Sequence, residues 1–96
     1  SFYIMQLKTC MVVDDELDDH EIFAIALEES GRSVELQRAY DGIDAIRQFH
    51  DQGQQLPDFI FMDLNMPKMN GIQCLHAIRS DDLLKHIPVV IYSTSS

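Results

Sequence analysis

The 96-residue chain has few basic residues, with 7 Lys and Arg against 16 Asp and Glu, which gives a formal net charge of −9. Proteins that bind nucleic acid directly neutralise phosphates with clustered Lys and Arg, so this balance argues against direct nucleic-acid binding. The chain also lacks an apolar run near the roughly 20 residues that a membrane span needs. Its first residues show no signal-peptide pattern. We therefore expect one acidic globular domain, or a piece of one, without a membrane partner.

Cysteine is scarce as well. Cys10 falls in an apolar segment and Cys74 on the face of a predicted helix, and they form no CxxC pair. Two cysteines could form a disulfide bridge, but these apolar settings favour small buried hydrophobic side chains in a reducing compartment. We therefore expect a cytoplasmic protein with two free thiols.

Four short apolar segments alternate with three segments of helical periodicity. The strands are predicted over residues 9–13, 34–40, 58–62 and 89–92. The predicted helical stripes are 22, 23, 26 and 27, then 43, 46 and 49, then 72, 75 and 78. Ser30-Gly31 is expected to end the first helix, and Asn70 to cap the third. This alternation predicts an α/β fold, a doubly wound and mostly parallel sheet with right-handed crossovers.

Polar side chains stand where three of the predicted strands end. Asp14 and Asp15 follow the first strand, Asp63 follows the third, and Ser93 follows the fourth. Parallel strands present their carboxyl ends at one edge of the sheet, where ligands of open α/β sheets bind. We therefore expect three carboxylates and a hydroxyl to converge there.

Such a cluster of acids needs compensation, because two carboxylates about 4–5 Å apart repel by roughly 3–4 kcal/mol at an effective dielectric near 20. A shared proton or a cation would relieve the repulsion. Carboxylate oxygens without Cys or His favour Mg²⁺ over Zn²⁺, and Mg²⁺ commonly completes its shell with water and phosphate oxygens. A single Asp at a strand end would be an ordinary turn or cap residue. Asp18 and Asp19 are interpreted as complements to the dipole of the first helix.

Four segments of the chain resemble the receiver domain of bacterial two-component response regulators. They are VVDDE at the first strand, AYDGIDAI after the second, DLNMPKMNG from Asp63 to Gly71, and PVVIYS at the fourth. The similarity runs from about Lys8 to Ser95. It implies a flavodoxin-like fold whose strands here are ordered 2-1-3-4.

The resemblance also implies roles for the acids. Asp63 matches the phosphoacceptor, which receives a phosphoryl group from a sensor histidine kinase or a phosphotransfer protein. Asp15 matches the direct Mg²⁺ ligand, and Asp14 a ligand that acts through water or from the second shell. The backbone carbonyl of Asn65 matches the third protein ligand.

Ser93 matches the switch hydroxyl that moves toward the phosphoryl group, so that the domain controls a downstream target which the sequence does not name. Pro67 and Gly71 are implied to shape the loop after the acceptor. Gly71 also follows the predicted cap, where a missing side chain eases the turn into the helix. Lys68 is interpreted as a solvent-facing loop residue, and the methionines around Asp63 as packing residues.

The family's fold continues with a fourth helix, a fifth strand that carries a catalytic lysine, and a fifth helix, and no residue of 1–96 matches these parts. We therefore expect residues 1–96 to be a C-terminally incomplete receiver domain. The edge of the fourth strand, with Val89, Val90 and Ile91, would then be open to a homodimer or a domain swap.

Two other functions stay open at this stage. Aspartyl-phosphate hydrolases also use an Asp after a strand with Mg²⁺, but they generally need a second acid two residues later, where this chain has Asn65. A receiver-like interaction domain that is never phosphorylated would agree with the missing lysine. We favour a phosphorylated switch whose only chemistry is its own phosphorylation and dephosphorylation, and which is not an enzyme in the usual sense. The four histidines are scattered and are given no role.

Overall fold

The computed structural model describes residues 8–93. Four strands form one parallel sheet in the order β2-β1-β3-β4. The strands are β1 (Lys8–Val13), β2 (Val34–Ala39), β3 (Phe59–Asp63) and β4 (Val89–Tyr92). The helices between them are α1 (Leu17–Glu29), α2 (Gly42–Phe49) and α3 (Gly71–Arg79). The predicted fold class and strand order are both confirmed.

β1 is the buried centre of the sheet. It pairs with β2 on one side and β3 on the other, and Thr9–Val13 are all buried. Its sequence accordingly shows a continuous apolar run rather than alternation, as is usual for a parallel strand covered on both faces. This central position places the residues that follow Val13 in the middle of the sheet edge.

The main core lies between the sheet and the pair α2 and α3. The helices contribute two residues each, Ala45 and Phe49 from α2 and Cys74 and Ile78 from α3. The predicted stripes were partly wrong, because Ile43 and Ile72 are 43% and 46% exposed. An α-helix has about 3.6 residues per turn, so a residue two positions before Ala45 or Cys74 points to nearly the opposite side.

α1 packs on the other face of the sheet through aromatic contacts. The ring of Phe23 lies 5.2 Å from that of Phe61 and 5.6 Å from that of Tyr92. His20, three residues before Phe23, is the one fully buried residue of this helix. The predicted stripe was therefore wrong at Ile22, which is 63% exposed, and at Ala26, which is also exposed. Hydrophobicity alone could not show that His20, rather than Ile22, lies on the buried face of α1.

The helix ends follow from local sequence. Asn70 and Gln73 form a reciprocal capping box at the start of α3, as the Asn70 cap predicted. The side chain of Asp41 caps α2 by accepting a hydrogen bond of 2.7 Å from the backbone N–H of Asp44. After α1, Gly31 takes a positive φ of 70°, a conformation that glycine adopts without steric cost.

The structure shows the burial of the two cysteines and the exposure of the edge strand β4. Cys10 and Cys74 are both buried free thiols, as predicted. β4 lies at an edge of the sheet, and its Val90 is 49% exposed. Within residues 8–93, every helix is too short or too polar to cross a bilayer.

Gly71 allows α3 to begin directly against the backbone of the loop after β3. A Cβ at this position would lie 2.7 Å from the carbonyl oxygen of Asp63 and 2.9 Å from the Cα of Leu64. The N–H of Gly71 donates to the carbonyl of Leu64 at 3.0 Å. Close approach, rather than an easier turn at the cap, is the reason for glycine here.

We expect Gly71→Ala to lower the free energy of unfolding by about 1–3 kcal/mol, the usual cost of overpacking. The matched control is Gly53→Ala, since a Cβ at Gly53 meets only a carboxylate oxygen of Asp51 at 3.7 Å. That change should alter the free energy of unfolding by less than about 0.5 kcal/mol. Urea unfolding followed by circular dichroism measures both. Equal midpoints for the two variants would contradict the assigned close approach.

Candidate functional site

Three carboxylates meet at the carboxyl edge of the sheet. Asp14 and Asp15 follow β1, Asp63 ends β3, and one oxygen from each lies within 4.8 Å of the others. The cause is the parallel register, in which Val13 pairs with Met62, so the next residue of each strand arrives at the same height. Asp14 and Asp63 are 0% and 1% exposed, whereas Asp15 lies closer to solvent.

Asp14 is held from several directions. Its N–H donates to the carbonyl of Ala39 at 3.0 Å. Oδ1 accepts from the backbone N–H of Glu16 at 2.9 Å, and Oδ2 accepts from the hydroxyl of Tyr92 at 2.7 Å. Both carboxylate oxygens are thus engaged, and the orientation of the side chain is fixed. Burial and the hydrogen bond to Asp14 raise the pKa of the Tyr92 phenol above its ordinary value, so the phenol remains a donor near neutral pH.

His20, from α1, forms a hydrogen bond with the backbone of Asp14. Its Nε2 lies 2.8 Å from the backbone carbonyl oxygen of Asp14, so this nitrogen carries the proton and donates. The ring packs against Tyr40 with a centroid distance of 4.5 Å. Sequence reasoning gave His20 no role, and the only signal for it was its helical spacing from Phe23.

The ends of β3 and β4 are connected by hydrogen bonds around Asp63. The backbone N–H of Asn65 donates to Oδ1 of Asp63 at 3.1 Å. The Nδ2 of Asn65 donates to the Oγ of Ser93 at 3.2 Å, and the N–H of Leu64 donates to the carbonyl of Tyr92 at 2.7 Å. Asn65 therefore links the two side chains, since it contacts both the carboxylate of Asp63 and the hydroxyl of Ser93.

Asp19 is a fourth acid that interacts electrostatically with Asp14 and Asp63 of the site. Desolvation and a side-chain hydrogen bond with Asp14 raise the pKa of Asp19, and the charges of Asp14, Asp63 and Glu16 raise it further. Its assignment as a helix-dipole residue was therefore incomplete. Asp18, its neighbour in the same turn, is exposed and fits that role.

The loop between Asp63 and α3 is shaped by its own residues. Met66 is 7% exposed and packs into the core, as predicted for this methionine, while Pro67 is exposed. Lys68 takes a positive φ of 60°, an uncommon conformation for a non-glycine residue. Its side chain is 68% exposed, and Nζ lies 3.9 Å from a carboxylate oxygen of Asp41, so it faces solvent.

The donors in this cluster suit a hard cation. Within residues 8–93 the potential metal ligands form one group, which contains carboxylates and neither His nor Cys. Mg²⁺, Mn²⁺ and Ca²⁺ prefer such oxygen ligands, whereas structural zinc sites use Cys and His. The residues therefore fit a divalent cation of the magnesium type.

The comparisons with known proteins agree with this arrangement of strands and acids. The family model of the response regulator receiver domain matches residues 10–96. The chain belongs to this family. It is 29% identical over 84 residues to the polar-differentiation response regulator DivK of Brucella ovis, which covers 86% of this chain. The chain spans only 63% of that relative's length.

Solved receiver structures share the fold. The Mn²⁺-bound form of response regulator Rcp1 superposes with a TM-score of 0.84 at 33% identity, covering 92% of this chain and 66% of that one. The phosphorylated cyanobacterial phytochrome response regulator RcpA gives 0.82 at 37% identity, covering 94% of this chain and 67% of that one. This chain is thus a receiver domain of the response regulator family of two-component signalling.

We expect Asp19→Asn to stabilise the metal-free protein near neutral pH by up to about 1 kcal/mol, the size of one like-charge repulsion in water. Because the pKa of Asp19 is raised above 3.8 in the folded protein, the folded state holds the proton more tightly than the unfolded chain. The penalty of the ionised side chain is therefore lost as the pH falls toward 3.8.

Thermal unfolding in EDTA across this pH range measures the effect. The advantage of Asp19→Asn should shrink on acidification. Asp18→Asn is the matched control from the same helical turn, and it should not raise the unfolding temperature. Equal stabilisation by both variants would show that overall charge, rather than proximity to Asp14, is responsible.

Proposed function

We propose that this receiver domain accepts a phosphoryl group on Asp63, in a reaction that requires Mg²⁺, and changes conformation in response. The observation that carries the proposal is the buried carboxylate of Asp63 at the end of β3, with carboxylate oxygens of Asp14 and Asp15 within 4.8 Å. The donor is a sensor histidine kinase or a phosphotransfer protein, as the family's signalling role suggests. The target of the switched state is a partner or an output domain.

Mg²⁺ would be held by Asp15, Asp63 and the backbone carbonyl of Asn65. Asp14 would act through water, which is supported by the engagement of both its oxygens with Glu16 and Tyr92. The Mn²⁺-bound relative supports a divalent ion in this fold. When bound, the ion neutralises negative charge and aligns the phosphoryl oxygens, which is most of what phosphoryl transfer requires.

The transfer itself needs one nucleophile. A carboxylate oxygen of Asp63 forms a bond to phosphorus as the bond from phosphorus to the donor's imidazole nitrogen breaks, and that nitrogen keeps the electron pair. The product is an acyl phosphate. The N–H of Asn65 donates to Oδ1 of Asp63 at 3.1 Å, which supports a fixed orientation of the nucleophilic carboxylate.

Ser93 is the proposed switch. Its hydroxyl now accepts a hydrogen bond of 3.2 Å from the side chain of Asn65. A phosphoryl group on Asp63 offers a stronger, charged acceptor, so Ser93 would turn toward it and donate. The end of β4 and the loops beyond the sheet edge would shift with it.

The two competing functions have less support. A hydrolase of the aspartyl-phosphate type needs an acid at position 65, where Asn65 instead contacts Ser93. A domain that is never phosphorylated has no need to keep three acids within 4.8 Å of one another.

We also propose that the edge of β4, where Val90 is 49% exposed, can pair with a second copy. The buried free thiols of Cys10 and Cys74 support a cytoplasmic location.

We expect the whole protein, incubated with Mg²⁺ and a small phosphodonor such as phosphoramidate, to gain one phosphoryl group on Asp63. Mass spectrometry of the intact protein and of its peptides measures this. Asp63→Asn should abolish the gain, and EDTA should reduce it to background. Asp82→Asn is the control, because the side chain of Asp82 is 97% exposed and lies in the loop after α3. An adduct that persists in Asp63→Asn would refute the assigned acceptor.

Ser93→Ala should leave Asp63 able to accept phosphate but should weaken the conformational response, since the hydroxyl that contacts the phosphoryl group is gone. Amide chemical shifts at the ends of β3 and β4, with and without phosphodonor, report the response. Ser93→Thr keeps the hydroxyl and should restore it. A full response in the alanine variant would remove Ser93 from the switch.

A further inference from the structure

Tyr92 connects the acids to the strand that precedes the proposed switch. It is the last residue of β4, and its hydroxyl donates to Oδ2 of Asp14 at 2.7 Å. The next residue, Ser93, contacts Asn65 instead. Successive residues of an extended strand point to opposite sides, so neighbouring positions of one strand reach two different parts of the site.

The reach of Tyr92 crosses an entire strand. In the order β2-β1-β3-β4, β3 lies between β4 and β1. Neighbouring strands are about 4.8 Å apart, so the ends of β1 and β4 are separated by about 10 Å. A short side chain at position 92 could not reach Asp14. The length of tyrosine makes the hydrogen bond, which joins residues 78 positions apart in the chain.

The ring is fixed independently of its hydroxyl. It packs against Phe23 at 5.6 Å, and Phe23 packs against Phe61 at 5.2 Å. Phe23 therefore restricts the ring of Tyr92 from the α1 side and is itself packed against Phe61, and the hydroxyl is oriented toward Asp14 before any ligand arrives. Such pre-oriented hydrogen bonds to carboxylates at metal centres tune metal affinity.

We propose that Tyr92 is a positioning residue, which fixes the Asp14 carboxylate for the divalent cation and ties it to the strand that leads to Ser93. This inference rests on the proposed function of the acidic site. Tyr92 does not touch the phosphoryl group. It acts through Asp14, whose second oxygen it occupies, and leaves the more exposed Asp15 to meet the ion directly.

The test compares Tyr92→Phe with wild type, since this change removes one oxygen and keeps the ring. Mn²⁺ binding followed by electron paramagnetic resonance, with Mg²⁺ as competitor, gives the affinity without any phosphorylation. We expect affinity to fall by about tenfold or more, the effect typical of lost second-shell contacts. Thermal unfolding in EDTA checks that the variant is folded.

Tyr40→Phe is the matched control. Tyr40 packs on His20, and its hydroxyl interacts with Arg38 rather than with the acids, so the cation affinity should match wild type. Phosphorylation of Tyr92→Phe by phosphoramidate should need more Mg²⁺, and the rate should recover when Mg²⁺ is saturating. A general loosening of the fold would not produce this recovery.

The outcomes separate the two proposals. Unchanged cation affinity in Tyr92→Phe, or an equal loss in Tyr40→Phe, would overturn the positioning role while leaving phosphorylation of Asp63 intact. If wild type binds the cation but never gains phosphate on Asp63, the proposed function fails. A selective loss of affinity in Tyr92→Phe would still establish the positioning of Asp14.

Discussion

The repulsion between acids at the carboxyl edge of the sheet is the constraint on which the structure depends. The register of β1 and β3 forces Asp14 and Asp63 to the same height, and Asp15 and Asp19 add further negative charge nearby. Two such charges at an effective dielectric near 20 repel by a few kcal/mol. A small domain has only about 5–15 kcal/mol of total stability, so hydrogen-bond donors in the protein must compensate this arrangement.

The compensation is built from backbone and side-chain donors that surround the acids. Asp14 receives hydrogen bonds from Glu16 and Tyr92, and Asp63 receives one from Asn65. Such bonds to a charged acceptor are worth more than neutral ones, about 1.5–3 kcal/mol each. They also orient the carboxylates. The donors that stabilise the acids are thus the same groups that fix the orientation of their carboxylates at the sheet edge.

The two faces of the sheet differ in how well the sequence described them. Under α2 and α3 the apolar pattern found the correct elements, but it placed Ile43 and Ile72 in the core although both are almost half exposed. On the α1 face, the pattern correctly selected Phe23 but also selected the exposed Ile22, and it missed the buried His20. Periodicity identifies that a helix is present; which side of it is buried depends on the surface it meets.

The sequence by itself determined the order of strands and helices, the capping of α3 by Asn70, and the set of acids that meet at the sheet edge. These features depend on neighbours in the chain and on the rule that parallel strands end together. Tertiary structure alone decided that Tyr92 and His20 would hold Asp14, because one contact spans 78 positions and the other depends on which face of α1 is buried. It also decided that Asp19 would join the field of the site, since only the docking of α1 brings that side chain to Asp14.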